Sequence, residues 1–376
     1  MKNSNNNTHN GYIMIFTLLI VGAAMIVVTY VGNRGSFYLP FSHMTLAREK
    51  AKMLATSGVQ VAMAQLCQPS KKQEQSAQES KTEKKDVQTG ESKNGATSTA
   101  ITEGTSSNQE DRDFLLRILP TLNRWQQFDL KEEIDGVDGQ IKICIMCEEG
   151  KINLNRIIDF KKGTLYGTDQ SGWKSIMQEI CKAIERITKA TDIFPAFEKA
   201  IKERDILYND ATELLTQKGF TSFKDVIFYQ PPTEKKQDTI YLTDIFTVWS
   251  SSDKLEPWLF SDSLLGLLGL PRVEIDDIKK RKDQVESWVK NFKSRVNWKQ
   301  DWKTILVPMY GKELQTLPKN IDSMLSTTFT PRFFSVLVHG KVGEITQSVY
   351  AILEKNKLSQ DNNIEYDITI KKLYWL

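Results

Sequence analysis

An uninterrupted apolar run near the N-terminus constrains this chain more than any other feature. Residues 11–32 read GYIMIFTLLIVGAAMIVVTYVG and contain no charged side chain. At a rise of about 1.5 Å per residue, a helix of this length crosses the hydrocarbon core of a bilayer, which is about 30 Å thick. The run is longer than the apolar part of a secretory signal, and no small-residue cleavage site closes it. We therefore predict a retained transmembrane helix at residues 12–32.

The residues before this run are polar and rich in asparagine. They read MKNSNNNTHNG and end at Gly11, directly before the apolar segment. A polar leader that ends in glycine is typical of type IV prepilins and pseudopilins, and residues 1–11 resemble such a leader. The resemblance implies cleavage by a prepilin peptidase between Gly11 and Tyr12, so that Tyr12 is the first mature residue. An ordinary signal anchor with a disordered tail is the alternative interpretation.

The position of Phe16 narrows the resemblance to one type of pseudopilin. Phe16 is the fifth residue after the implied cut, where most pilins have a glutamate that pairs with the N-terminal amine of a neighbouring subunit. An unpaired carboxylate is costly inside a bilayer. A subunit without this glutamate resembles the K-type minor pseudopilin of the type II, or general, secretion pathway, which caps the filament tip. The resemblance makes Phe16 the expected assembly residue.

Charge sets limits on the partners and on the orientation. The chain has 50 basic and 47 acidic residues, so there is no electrostatic case for nucleic acid as a partner. Only Lys2 precedes the apolar run, whereas Arg34 and Arg48 follow it, and the positive-inside rule would place that flank in the cytoplasm. Long domains translocate regardless of local charge. The pilin-like leader therefore decides our prediction, a single pass through the inner membrane with the C-terminal domain in the periplasm.

The next segment has the pattern of a helix that packs closely on a partner. Small and apolar residues recur at steps of three and four, at Ala47, Ala51, Leu54, Ala55, Gly58, Ala62 and Leu66. This spacing predicts a periplasmic stalk helix over residues 33–67 with its small-residue face against a sheet. Residues 68–112 are polar and have almost no large apolar side chain. That composition predicts a disordered low-complexity spacer.

Alternating patterns predict a sheet in two separated parts, at residues 113–160 and 319–376. In the first part, Ile141, Ile143 and Ile145 alternate with Lys142, Cys144 and Met146. In the second part, Phe334, Val336 and Val338 alternate, followed by a turn and two further strands. Residues 148–155 read EEGKINLN, which closely matches a hairpin motif of K-type pseudopilins.

Residues 161–318 have helical spacing instead. Apolar side chains recur at Trp173, Ile176, Ile180 and Ile184, and again at Val285, Trp288, Val289 and Phe292. This order resembles the helical insertion of K-type pseudopilins, in which LTDIFTVWS also has a counterpart. The predicted fold is α+β, with an N-terminal transmembrane and stalk helix, a pilin-like antiparallel sheet and an inserted all-helical subdomain.

The chain offers little catalytic or metal-binding chemistry. Cys144 and Cys147 have the spacing of a metal or redox pair, but the chain has no second pair and only three histidines. On a strand, residues three apart face opposite sides, so we interpret both as strand residues that remain able to pair with Cys67 or Cys181. The resemblance implies calcium as a possible ligand, but the acidic segment of the family has no good counterpart here. We therefore expect no cofactor and no metal, with calcium as the alternative.

The sequence favours a non-enzymatic assembly protein because it has no paired carboxylates, nucleophile elbow or phosphate loop. By resemblance, this is a minor pseudopilin at the tip of the type II secretion pseudopilus, which helps to export folded proteins across the outer membrane. Its expected partners are other minor pseudopilins, the prepilin peptidase and the inner membrane. The alternative is a membrane-anchored binding module, or a minor pilin of a DNA-uptake or surface type IV pilus.

Overall fold

The fold is α+β, as the sequence predicts, and is built around one long helix. The computed structural model describes residues 9–67, 103–168, 171–231, 239–271, 278–360 and 363–376. Helix α1, His9–Cys67, is continuous over 59 residues. Its C-terminal part lies across an antiparallel sheet, and a largely helical insertion packs against the same sheet.

The main sheet has five strands in the order β1-β2-β9-β10-β11, and every neighbouring pair is antiparallel. The two central neighbours β2 and β9 are far apart in the sequence, because the whole insertion separates them. The strands are β1 (Trp125–Leu130), β2 (Gly139–Cys147), β9 (Phe333–Val342), β10 (Ile345–Gln360) and β11 (Asn363–Trp375).

Short elements make up the rest of the chain. The helices after α1 are α2 (Glu103–Ile118), α3 (Glu132–Asp135), α4 (Leu154–Ile157), α5 (Trp173–Thr188), α6 (Ile193–Lys202), α7 (Leu242–Ile245), α8 (Asp262–Leu267), α9 (Ile278–Val289), α10 (Trp298–Ile305) and α11 (Val307–Tyr310). Turns of 3₁₀ helix occur at Ala211–Thr216, Lys218–Phe223, Pro257–Leu259, Leu314–Thr316 and Ile321–Met324. The short strands are β3 (Ile152–Asn153), β4 (Ile158–Asp159), β5 (Thr164–Leu165), β6 (Gly167–Thr168), β7 (Ser171–Gly172) and β8 (Phe246–Thr247).

Small residues let α1 approach the sheet closely. Ala51, Ala55 and Ala62 are fully buried on the face of α1 that the spacing predicts. On the sheet side, Gly340 of β9 lies under this face, and a Cβ added there would come 2.6 Å from the backbone nitrogen of Ala55. The helix axis can therefore lie nearer to the sheet than larger side chains would permit.

The alternation predicted for β2 is confirmed. Ile143, Ile145 and Cys147 point into the main core beneath α1, whereas Cys144 and Met146 belong to a second apolar cluster on the opposite face. Cys144 and Cys147 thus face opposite sides of the sheet, as strand geometry requires. All four cysteines are free thiols.

Several boundaries differ from the sequence-based predictions. Helix α2 begins at Glu103, inside the predicted spacer. Its second turn contacts the insertion, where the Asn108 side chain accepts a hydrogen bond from Ser294 N at 3.0 Å. The rest of the predicted spacer, 68–102, lies outside the described residues. The chain leaves the sheet after Cys147 and returns at Phe333, so the insertion is longer at both ends than residues 161–318.

One local prediction is wrong. The EEGKINLN segment does not form a hairpin with β2, since β3 pairs in parallel with β8 of the insertion instead. Edge strand β1 lies within the first predicted part of the sheet, but its half-exposed side chains show no alternation that would locate it. His339 lies on β9 between β2 and β10, with its ring 4.8 Å from that of Trp125.

Candidate assembly site and the junction that supports it

The N-terminal part of α1 exposes apolar side chains on every face. The segment Met14–Gly32 is long and apolar enough to cross a membrane, and none of it is buried within the chain. Phe16 lies inside this segment and is 68% exposed. Gly11 and Tyr12 fall in the first turn of α1. The structure thus places the three residues singled out from the sequence on one helix, and their roles in processing and assembly stay predictions.

From residue 41, the described part of α1 is largely exposed until it reaches the sheet and the insertion, which we call the head. Residues 41–46 are exposed, and burial becomes continuous only around Ala51. The 19-residue step from Gly32 to Ala51 corresponds to about 28 Å of helix. The head is therefore held away from the apolar segment by a stalk that still carries exposed Phe41, Met44 and Leu46.

The insertion is tied to the outer face of the sheet, opposite α1, by a buried ion pair. Lys151 donates through Nζ to Glu148 Oε1 and, at 3.1 Å, to Ser335 Oγ of β9. Glu148 also accepts hydrogen bonds from Thr247 Oγ1 of the insertion and from Ser335 Oγ. Three donors therefore contact this carboxylate. Burial alone would lower the pKa of Lys151, but the Glu148 carboxylate together with Tyr350 and Asp244 outweighs burial, and the net pKa is raised. Lys151 therefore stays charged at the buried boundary between sheet and insertion, which we call the junction.

The neighbouring Glu149 holds the two ends of the insertion together. Its Oε1 accepts from the backbone N–H groups of Arg332 and Phe333, both at 3.0 Å. Its backbone carbonyl accepts from Glu256 N at 2.8 Å. Burial raises the pKa of Glu149 to about 7, against the lowering effect of these N–H groups and of the Cys147 thiol. This carboxyl group titrates near neutral pH in the folded chain.

The remaining residues of the EEGKINLN segment are also structural. A Cβ at Gly150 would overlap the carbonyl oxygen of Leu259, so only glycine fits this position. Asn153 caps α4 by accepting from Asn155 N at 2.9 Å, and its Nδ2 donates to Ser250 O at 2.7 Å. The segment thus acts as a joint between sheet and insertion.

A second set of buried contacts between sheet and insertion joins the residues just before β1 to helix α8. We call each such set a clamp. Asp262 accepts from Tyr229 Oη at 2.7 Å and from Arg124 Nη1 at 3.1 Å. Asn123 Nδ2 donates to Phe260 O at 3.3 Å in the same cluster. Asp262 and Tyr229 are almost fully buried. Because these contacts come from both sides of the sheet–insertion boundary, the two parts are held as one head.

One buried carboxylate in this region is incompletely paired. Asp244 Oδ2 accepts from Ser263 N at 2.7 Å, whereas Oδ1 is buried and makes no hydrogen bond within the described part of the chain. Burial raises the pKa of Asp244 to about 6, although nearby Lys151 acts to lower it. Asp244 is fully buried in packed interior, so its carboxylate joins α7 to α8 from within the core.

A small cleft opens on the outer face of the sheet. Its walls include Phe228, Trp249, Tyr350 and Tyr374, and Asp210 lies at one side. Tyr374 Oη and Lys372 Nζ both reach Asp210 Oδ2, the latter at 3.4 Å. Burial would raise the pKa of Asp210, but these donors and Thr212 N outweigh it, and the net pKa is lowered. The carboxylate is thereby engaged within the chain itself.

The described residues contain no group of three or more histidine, cysteine, aspartate or glutamate side chains placed to hold a metal ion. The buried contacts between sheet and insertion were not predicted from the sequence, because the residues that pair, such as Glu148 and Ser335, are 187 residues apart. A usable signal was present nonetheless: two glutamates, a lysine and two asparagines follow directly on the buried strand β2. Such a polar cluster next to a core strand indicates buried pairing.

Comparisons with known proteins find similarity in structure but not in sequence. No protein-family model matches the chain, and no characterised protein matches it in sequence. Among solved structures, a chain of the GspK–GspI–GspJ complex from the enterotoxigenic Escherichia coli type 2 secretion system is similar. The match covers 73% of this chain and 95% of that chain, with 11% sequence identity and a TM-score of 0.36. At this TM-score and identity, we draw no functional conclusion from the similarity.

Proposed function

We propose that the chain is a membrane-anchored structural subunit of a pilus-like filament, a K-type minor pseudopilin of the type II secretion pathway, placed at the filament tip. The observation that carries the proposal is helix α1. One continuous helix exposes apolar side chains all round at Met14–Gly32, and then lays an alanine- and glycine-rich face on an antiparallel sheet. Such a helix can join a membrane bundle at one end while it carries a folded head at the other.

The tip position follows from Phe16. Inside a low-dielectric bundle, a subunit with a carboxylate at this position gains from pairing with a neighbour's terminal amine. Phe16 has no charge and is exposed in the apolar segment, which suits packing against lipid or apolar helices instead. A subunit that makes no such pair fits the end of a filament, where no further subunit has to be received.

The head supports the same role. The insertion between β2 and β9 adds bulk to the sheet, and buried clamps at Lys151, Glu149 and Asp262 join the two parts. The charged side chains of these clamps are used in internal contacts rather than offered to a substrate. We propose a non-enzymatic part in the export of folded proteins, with the head in the periplasm, the anchor in the inner membrane, and other minor pseudopilins as partners.

The proposal is tested by co-expressing the full chain with minor pseudopilins from the same cells, and by native mass measurement after extraction in detergent. We expect a heteromeric complex of defined mass and no filament of the chain alone. Phe16→Glu should fold normally but assemble poorly, because it buries an unpaired carboxylate, whereas Phe16→Leu should assemble as the unsubstituted chain does. A homopolymer, or no binding to any minor subunit, would contradict the tip proposal and favour the independent binding module or a minor pilin.

A further inference from the structure

Positive charge is concentrated in one short stretch of the insertion. Residues 290–304, which run from the end of α9 through most of α10, contain five basic residues and one acidic residue. Their net charge is therefore +4, whereas that of the whole chain is +3. All five basic side chains are exposed, and we call them the basic patch: Lys290, Lys293, Arg295, Lys299 and Lys303.

Contacts within the stretch hold the loop between the two helices against α10. Asn291 Nδ2 donates to the carbonyl oxygen of Thr304 at 3.3 Å, so the start of the stretch lies next to its end. Lys293 Nζ donates to Asp301 Oδ1 at 2.7 Å, which joins the loop to the middle of α10. The cations of the loop and those of the helix therefore lie close together on the surface.

Helix α10 carries the last two cations of the patch. Its apolar side chains are buried, so Lys299 and Lys303, which are one turn apart, share its exposed face. Lys299 Nζ lies 3.4 Å from Asp322 Oδ2. The other three, Lys290, Arg295 and Lys303, make no ion pair within the described part of the chain. Their charge is therefore not compensated by the head itself.

Helix α2 packs at the end of α1 that is farther from the apolar segment. This end, Cys67, lies about 52 Å along the helix from Gly32. The Cys67 thiol donates to the carbonyl oxygen of Tyr366 at 3.3 Å. Lys355 Nζ contacts the ring of Tyr366 and that of Phe114 in α2, at 4.0 and 3.8 Å from their centres. These contacts place α2 at the far end of the head.

The basic patch is attached to α2. Ser294, inside the stretch, donates through its backbone N–H to the Asn108 side chain at 3.0 Å. The patch is therefore remote from a bilayer that surrounds the apolar segment. Because salt screens exposed charges beyond about 8–10 Å, the lipids of that bilayer do not attract the patch. Its partner has to meet the head at this far end.

We propose that the basic patch binds an acidic segment of a partner protein. Complementary charges draw such a segment to the patch and fix its position there. None of the described residues 281–306 has an exposed large apolar or aromatic side chain. Such a surface lacks the apolar face that enters a membrane interface, and it lacks the aromatic rings on which nucleic-acid bases stack. The inference goes beyond the proposed function and does not depend on the tip position.

The test measures the binding of a fluorescent peptide of alternating glutamate and serine to the full chain in detergent. Lys290→Glu combined with Lys303→Glu brings the net charge of residues 290–304 from +4 to 0, and should weaken binding by about tenfold or more. The matched control is Lys218→Glu combined with Lys224→Glu. It makes the same charge change at two exposed lysines elsewhere in the insertion, and should bind the peptide as the unsubstituted chain does.

Further measurements on the unsubstituted chain do not depend on how a variant folds. Binding of the peptide should weaken as salt is added, and a peptide with glutamine in place of glutamate should not bind. Vesicles of phosphatidylglycerol and a DNA duplex are the competing anionic probes. Tighter binding of either probe than of the acidic peptide, or equal weakening of peptide binding in both double variants, would overturn the inference. The tip proposal would stand in each case, because assembly with the minor pseudopilins tests it separately.

Discussion

The two faces of the main sheet are held in different ways. The face beneath α1 is dry and closely spaced, with Ala51, Ala55 and Gly340 at the contact. The face beneath the insertion carries Tyr350 and a buried ion pair between Glu148 and Lys151. The first contact depends on the size of the side chains and the second on charge and hydrogen bonding. The two faces should therefore respond to different substitutions.

The difference also decides what a sequence can reveal. Packing on the α1 face repeats every three or four residues along one helix, so its periodicity is visible in a single sequence. Pairing on the insertion face joins residues from four separate segments, Glu148, Lys151, Thr247 and Ser335. No local pattern connects these positions, although each of them is polar and lies beside a core strand.

The largest expected effect is at the insertion face. Lys151→Met removes the ammonium group and leaves the Glu148 carboxylate buried without its counter-charge, so the free energy of unfolding should fall by about 3–5 kcal/mol. Urea unfolding of the full chain in detergent, followed by tryptophan fluorescence, measures the change. Glu148→Gln combined with Lys151→Met is the control and should recover part of the loss. A loss below about 1 kcal/mol would mean that the pair is solvated.

The next effect depends on pH. Because burial raises the pKa of Glu149 to about 7 from a usual 4.5, the folded chain binds more protons than the unfolded chain between these values. The contribution of Glu149 to the free energy of unfolding therefore falls as pH rises through this window, by at most about 3 kcal/mol. The free energy of unfolding is measured at about pH 5 and about pH 7.5, on either side of this window. Its fall between the two conditions should be smaller in Glu149→Gln than in the unsubstituted chain. Equal pH dependence in both proteins would contradict the assignment.

The smallest of these effects is at the α1 face. Gly340→Ala places a methyl group against the backbone of Ala51 and Ala55, so helix and sheet must separate, at a cost of about 1–3 kcal/mol. Gly22→Ala, in the apolar segment of α1, is the control that makes the same substitution without a contact, because its added Cβ meets no heavy atom within 4 Å. Thermal unfolding of the head should shift for Gly340→Ala and stay unchanged for Gly22→Ala. An equal response would show that α1 is not seated as described.

The sequence alone predicted the packing of the sheet face beneath α1, but not the contacts of the face beneath the insertion. The small-residue face of α1, the alternation along β2 and the buried face of α9 were predicted correctly from spacing alone. The boundaries of the insertion were not, because EEGKINLN belongs to β3 and α4 and pairs with β8, far along the chain. Strand β1 lies inside the predicted sheet region, but its exact position was not predicted, because an edge strand with several polar side chains gives no alternating pattern.

The central claim is that α1 begins as a pilin-type anchor, and the most direct test is the intact mass of the protein extracted from membranes of its own cells. The account predicts a mature chain that starts at Tyr12, with residues 1–11 removed and the apolar segment retained. Gly11→Leu should block this cleavage and leave the full-length mass. A chain that still starts at Met1, or one that starts after Gly32, would contradict the account.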